Sequence, residues 1–276
     1  MIAQDSDPSP RRTVASDQPA SLAGLPDAAR VQPLTLPTGR GFDLLIVPCG
    51  GSSAEGSQGQ EAVWADAARR WVIAAAGSLP HTADAAGTTP VTIPLYGCHV
   101  IWTPSRGAVL GPVERLDQLV AALGDFASRE AELRDLEHRG DALLATVEAD
   151  APSAFATAEE SLGGRPELAA RFSEAVAVRR GLATLGPAVH VPPVHPPTLA
   201  SQLGERLRDR TRLAERHELA TDRADFALQI YEACGQRASD VAIARRQMGL
   251  EWVIIVILVA QLALMVVEML SSRSGT

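Results

Sequence analysis

The residues able to do chemistry are few and scattered. Six histidines and three cysteines, Cys49, Cys98 and Cys234, are spread along 276 positions. A hydrolytic or metal centre needs several His, Cys or carboxylate side chains converging on one point. Cys98 and His99 are adjacent, but neighbouring strand residues point to opposite faces, so a nucleophile–base or two-ligand arrangement there needs a bulge. His190 and His195 lie in HVPPVHPP, where prolines fix the path of a surface turn. The loop CGGSSAEGSQGQ follows an apolar run but lacks the GK[ST] ending of a phosphate loop and any ordered G-x-G-x-x-G. No G-x-S-x-G, H-E-x-x-H or C-x-x-C occurs. The expectation is a protein with no catalytic residues, no cofactor and no metal.

The polar group in the least ordinary setting is Gln261. It interrupts WVIIVILVAQLALMVVEML, residues 252–270, 19 positions whose only polar members are Gln261 and Glu268. A hydrocarbon core of about 30 Å needs about 20 apolar helical residues. The stretch therefore predicts a transmembrane anchor built from Trp252, Val253, Ile254, Ile255, Ile257, Leu258, Gln261, Leu264 and Val267. Arg245 and Arg246 precede it at headgroup level, and Trp252 suits the interface. A mid-bilayer glutamine is either tolerated singly or hydrogen-bonds across helices. With no apolar core behind the arginines of MIAQDSDPSPRRTVASD, no secretory signal is expected. The location predicted is the cell membrane, with a single C-terminal span and the body in the cytoplasm.

Composition narrows the partners. The formal net charge is −8 with a pI near 5.3, and all 25 basic residues are arginine. Nonspecific nucleic-acid binding is not expected. Arginine and alanine richness points to a GC-rich bacterial gene, and three widely spaced cysteines fit a reducing compartment.

The elements that must position these groups predict an α+β fold: a small α/β head, a helical region, and a long helix continuing into one transmembrane span. Residues 1–39, rich in Ser, Pro, Asp and Gly, read as disordered or extended. The head spans 40–125: a buried strand at 42–48, a helix at 61–76 with Val63, Ala67 and Trp71 on one face, and two strand segments at 91–104 flanking Gly97. Pro94 marks the first of these segments as an edge or as bent. From Pro112 a helix with interruptions runs to about Glu148, with Leu116, Leu119, Val120 and Leu123 on one face and a solvated surface at 128–139. The helical region, 126–197, includes further helices broken by Gly163, Gly164 and Pro166 and closes on the proline-rich turn. Thr198 caps a long charged helix, 198–250, which passes into the anchor, 251–271. Leu199, Leu203, Leu207, Ala214, Leu228 and Tyr231 form its coiled-coil-like seam, which Arg210, His217 and Arg245 interrupt; Gly204, Gly235 and Gly249 are its weak points.

LEWVIIVILVAQ, residues 250–261, resembles the C-terminal hallmark of the Rmd/Sif family, proteins termed required for meiotic nuclear division. YGCHVIW at 96–102 is similar to that family's tyrosine–glycine strand, and Pro193 opens a comparable proline-bounded start before the final helix. SEAVAVRRGL at 173–182 echoes the family's central helix but lies closer to Pro193. Where Gln261 stands, the family carries an acidic residue. The resemblance implies a divergent, membrane-anchored, non-catalytic protein. On this reading the chain is a tether or scaffold at the cytoplasmic face, with the lipid bilayer and an unidentified protein as partners and homo-oligomer formation through the C-terminal helices. The alternative is a membrane-bound ligand sensor or enzyme with its pocket in the head around residues 96–102.

Overall fold

The computed structural model describes residues 22–49, 57–74, 89–154, 165–192 and 194–273. Residues 1–21, most of the glycine-rich loop, the second loop at 75–88, Gly163, Gly164 and Pro193 lie outside the described residues. The fold is α+β with a long final helix, and the chain divides into two compact units.

The first unit is built on a five-stranded mixed sheet, β1 (Arg30–Thr35), β2 (Gly41–Pro48), β3 (Val91–Leu95), β4 (Cys98–Trp102) and β5 (Arg106–Gly111), in the order β1-β2-β5-β4-β3. β2 and β5 are parallel and the other pairings antiparallel. β2 reads as an unbroken apolar run because both of its faces are covered. Leu45 and Val47 join Ile101, Ala108 and Leu110 under α1 (Ser57–Ala74), which contributes Ala68, Trp71 and Val72. On the other face a Cβ at Gly107 would meet Leu123, Phe42 and Leu44, so glycine lets the start of α2 (Val113–Ala154) lie close to the sheet. There Trp102 and Phe126 pack edge to face with ring centroids 5.2 Å apart.

Several expectations change here. Within the segment expected to be disordered or extended, residues 30–35 form edge strand β1, because β2 offers a complete antiparallel register from Arg30↔Ile46 to Thr35↔Gly41. Pro33 is compatible with that edge. β5 went unread in the sequence, although it is the central strand. The inward face of α1 is carried by Trp64, Ala67, Ala68, Trp71 and Val72, whereas Val63 is 55% exposed, one position off that stripe. β3 is an edge strand and accommodates Pro94, whose carbonyl accepts from Arg206 Nη1 at 2.8 Å. Tyr96 (φ 47°) and Gly97 (φ 75°) make the two-residue hairpin turn between β3 and β4, both in the left-handed region that this turn requires.

Arg206 belongs to α4 (Leu199–Thr211), which buries Leu203 and Leu207. Its start carries a reciprocal cap: Ser201 N donates to Thr198 Oγ1 at 3.1 Å and Thr198 N to Ser201 Oγ at 2.9 Å. The long helix expected from Thr198 onward is in fact two. The chain breaks at Arg212 (φ 51°), and α5 (Leu213–Arg273) begins after it, while Gly204, Gly235 and Gly249 lie within continuous helix. A left-handed residue ends a helix whatever the local propensity.

The second unit is an up-down-up bundle of the later part of α2, α3 (Arg165–Val189) and the first part of α5. α2 is continuous over 42 residues, and Pro166 starts α3 where a missing N–H costs nothing. Leu133, Leu136, Leu143 and Val147 of α2 are buried, as are Ala175, Val178, Leu182, Leu185 and Val189 of α3, the latter at spacings of three and four.

Candidate functional site: the long apolar helix and its bundle

In α5 the buried side chains are Leu213, His217, Ala220, Ala224, Ala227, Tyr231 and Cys234, an alternation of four and three that holds for three heptads. Three successive seam positions, Ala220, Ala224 and Ala227, are small enough to let α3 and α5 approach closely. The expected seam was displaced: Ala214 and Leu228 are half-buried flanks, and His217 belongs to the seam rather than interrupting it. Only 8% exposed, His217 meets the carbonyl of Leu182 through Nε2 at 2.9 Å and lies edge-on to His190, with ring centroids 5.3 Å apart. One satisfied nitrogen makes a buried imidazole tolerable. Its Nδ1 has no hydrogen-bond partner among the described residues.

Ion pairs bind the three helices around this seam. Arg216 Nε donates to Glu137 Oε1 at 2.9 Å, and its Nη2 reaches Glu137 Oε2, a two-pronged pair. Arg139 Nε donates to Glu174 Oε1 at 2.8 Å, and Arg179 Nε to Asp225 Oδ1 at 2.6 Å. Arg171 holds both carboxylate oxygens of Asp150. Thr146 donates to the Leu143 carbonyl, and its Oγ1 is also hydrogen-bonded to the Tyr231 hydroxyl at 2.8 Å. These contacts overturn the reading of 128–139 as a solvated surface. Glu130, Ala131, Leu133 and Leu136 are buried there, and the charges at Glu137 and Arg139 are engaged by other helices.

Beyond Cys234 the seam loses its cover. Near this point α3 and α5 enclose an open groove of about 410 Å³ lined by Leu168, Phe172, Tyr231, Gly235 and Ala238. Gly235 lies on its wall, where a Cβ would meet nothing within 4 Å. From Ile243 to Met265 every large apolar side chain of α5 is exposed, Trp252 at 67% and Leu264 at 68%. Among the described residues one helix, α5, is long and apolar enough to cross a membrane, and none of its apolar stretch is covered. Its 61 residues make a rod of roughly 90 Å. Trp252, Val253, Ile254, Ile255, Ile257, Leu258, Gln261 and Leu264 are all exposed on it; the side chains of Val267 and Glu268 lie outside the description. Arg246 is exposed six residues before Trp252, and Arg245 is engaged in an interaction of its own.

The residues of the alternative head site are differently disposed. Cys98, Val100, Ile101 and Trp102 are buried in the sheet, His99 is half-buried and Tyr96 is exposed. The Tyr96 carbonyl accepts a hydrogen bond from Arg115 Nη1, which ties the hairpin to the first turn of α2. Cys98 Sγ would lie 2.6 Å from a Cβ at Gly111, so that glycine makes room for the thiol. Burial pushes the Cys49 thiol up to about 11 and raises Cys98 and Cys234 as well, the opposite of what an activated nucleophile requires. Among the described residues, no group of three or more His, Cys, Asp or Glu side chains is placed to hold a metal ion. No protein-family model and no curated protein matches the chain.

Proposed function

We propose that the chain is a membrane-anchored tether or scaffold: α5 enters the bilayer near Trp252, and the sheet unit and bundle, held on the cytoplasmic side, present a docking body to a protein partner. The observation carrying this reading is that an apolar helical stretch with no cover among the described residues continues, without a break, from the bundle. In water such a stretch would expose more apolar surface than a soluble monomer tolerates; in lipid it is at its lowest free energy. Arg245 and Arg246 just before the span support a cytoplasmic body. The resemblance of residues 250–261 to the Rmd/Sif hallmark supports the same class of protein. The filled sheet around Val100–Trp102 and the raised thiols favour a tether over an enzyme or sensor acting in the head.

A tether moves its partner with it. In cells expressing the full chain or a variant lacking 252–270, quantitative proteomics of membrane and soluble fractions should find at least one otherwise soluble protein that leaves the membrane with the deletion. An unchanged distribution of every protein would contradict the reading.

A further inference from the structure

Gln261 lies on α5 among apolar side chains, exposed on the helix surface. At about 100° per residue, Gln247, Leu250, Ile254, Ile257, Gln261 and Leu264 fall within roughly 60° of one line along the helix. Their spacing is 3-4-3-4-3, so with Gln247 at position a, Ile254 and Gln261 are also a, while Leu250, Ile257 and Leu264 are d. Each of these apolar side chains is more than half exposed. The line is distinct from the seam buried in the bundle, which would continue through Val241, Met248, Trp252 and Ile255.

From this register we infer that a second copy of the chain occupies the Gln261 face, as a parallel pair of α5 helices. The inference rests on the membrane reading above. A primary amide has donors and an acceptor, and in hydrocarbon it needs both satisfied. Copies inserted with the same topology carry Gln261 at the same depth, so across a two-fold axis each amide donates to the other's carbonyl oxygen. No other partner is required to supply matching chemistry at that level. A β-branched residue at a with leucine at d favours two strands, and polar a positions fix the register. Ile254 at a with Leu250 and Leu264 at d fits that pattern and Ile257 at d departs from it, while the amides of Gln247 and Gln261 at the other a positions, two heptads apart, set the register.

The test uses the full chain reconstituted in phosphatidylcholine vesicles. Single cysteines are introduced by Ile254→Cys, Ile257→Cys and Leu264→Cys on the face, and by Val256→Cys and Val259→Cys on the far side. The native thiols are buried and stay outside the reaction. Mild oxidation should give disulfide-linked dimers for the first three and little for the other two. Energy transfer between labelled copies, titrated against lipid, should show association about five-fold weaker for Gln261→Leu, with flotation of the vesicle-bound protein unchanged. Equal cross-linking on both faces, or undiminished association of Gln261→Leu, would overturn the pair. Failure of the unaltered chain to float with the vesicles would overturn the membrane reading itself and the pair with it.

Discussion

Gly181, in the middle of α3, should respond to alanine with the opposite sign from an ordinary helix glycine. Replacing a helix-interior glycine by alanine normally stabilises by about 0.5–1 kcal/mol, because the unfolded chain has less freedom to lose. At Gly181 the new Cβ would lie 2.6 Å from Leu136 Cδ2, 3.2 Å from Cδ1 and 3.5 Å from Cγ. Carbon atoms rest at about 3.5–4.0 Å, so Leu136, itself buried, must withdraw by about 1 Å. Overpacking of that kind costs about 1–3 kcal/mol, leaving a net loss of about 1 kcal/mol. Gly235 on α5 is the control: a Cβ there meets nothing within 4 Å, so Gly235→Ala should gain about 0.5–1 kcal/mol. Urea unfolding in detergent micelles, followed by far-ultraviolet circular dichroism, reads both. The double variant Gly181→Ala/Leu136→Ala isolates the cause. Leu136→Ala alone should cost about 2–5 kcal/mol, and the added methyl should restore about 1 kcal/mol by filling part of the cavity. If Gly181→Ala stabilises as much as Gly235→Ala, or if the two changes add within about 0.5 kcal/mol, the α2–α3 register described here is wrong.

Other consequences are equally direct. Arg216→Ala should destabilise the bundle by about 1 kcal/mol, since the two-pronged pair with Glu137 is about three-quarters shielded from solvent; Glu137→Ala combined with it should cost little more, a coupling readable in the same urea titrations. The Cys49 thiol, raised from 9.0 to about 11 by burial, stays protonated in the fold while the unfolded thiol ionises lower, so its contribution to stability is complete below pH 9 and is lost as pH rises toward 11. Alkylation by iodoacetamide at pH 8 should accordingly be slow in the native protein and fast in urea; rapid native labelling would contradict that burial. Ser201→Ala removes half of the cap on α4 and should cost about 0.5–1 kcal/mol, measured by urea unfolding.

Much of this architecture is legible in the chain, and the parts that are not share a cause. β2 shows itself because a strand covered on both faces leaves a continuous apolar run, and the β3–β4 hairpin because Gly97 punctuates it. The apolar stretch of α5 needs only length and composition. β1 carries little buried surface and a proline, so its existence depends on the register that β2 offers. β5 is six residues between two prolines, with two glycines diluting its apolar signal. The break at Arg212 has neither glycine nor proline to announce it. His217 looks misplaced in a helical period until Leu182, 35 residues away, supplies a carbonyl. The charges between 128 and 139 look solvated until Arg216, 79 residues away, pairs with Glu137, and Glu174, 35 residues away, pairs with Arg139. Local pattern reveals what one element buries, whereas pairing across distant elements is written only in three dimensions.

The central claim is that residues 252–270 lie in lipid. Alkaline carbonate extraction of cell membranes, run on the full chain and on a variant lacking those residues, tests it most directly. The full chain should stay with the membrane pellet, and the deleted variant should be found in the soluble fraction. Release of the full chain into the carbonate supernatant would contradict it.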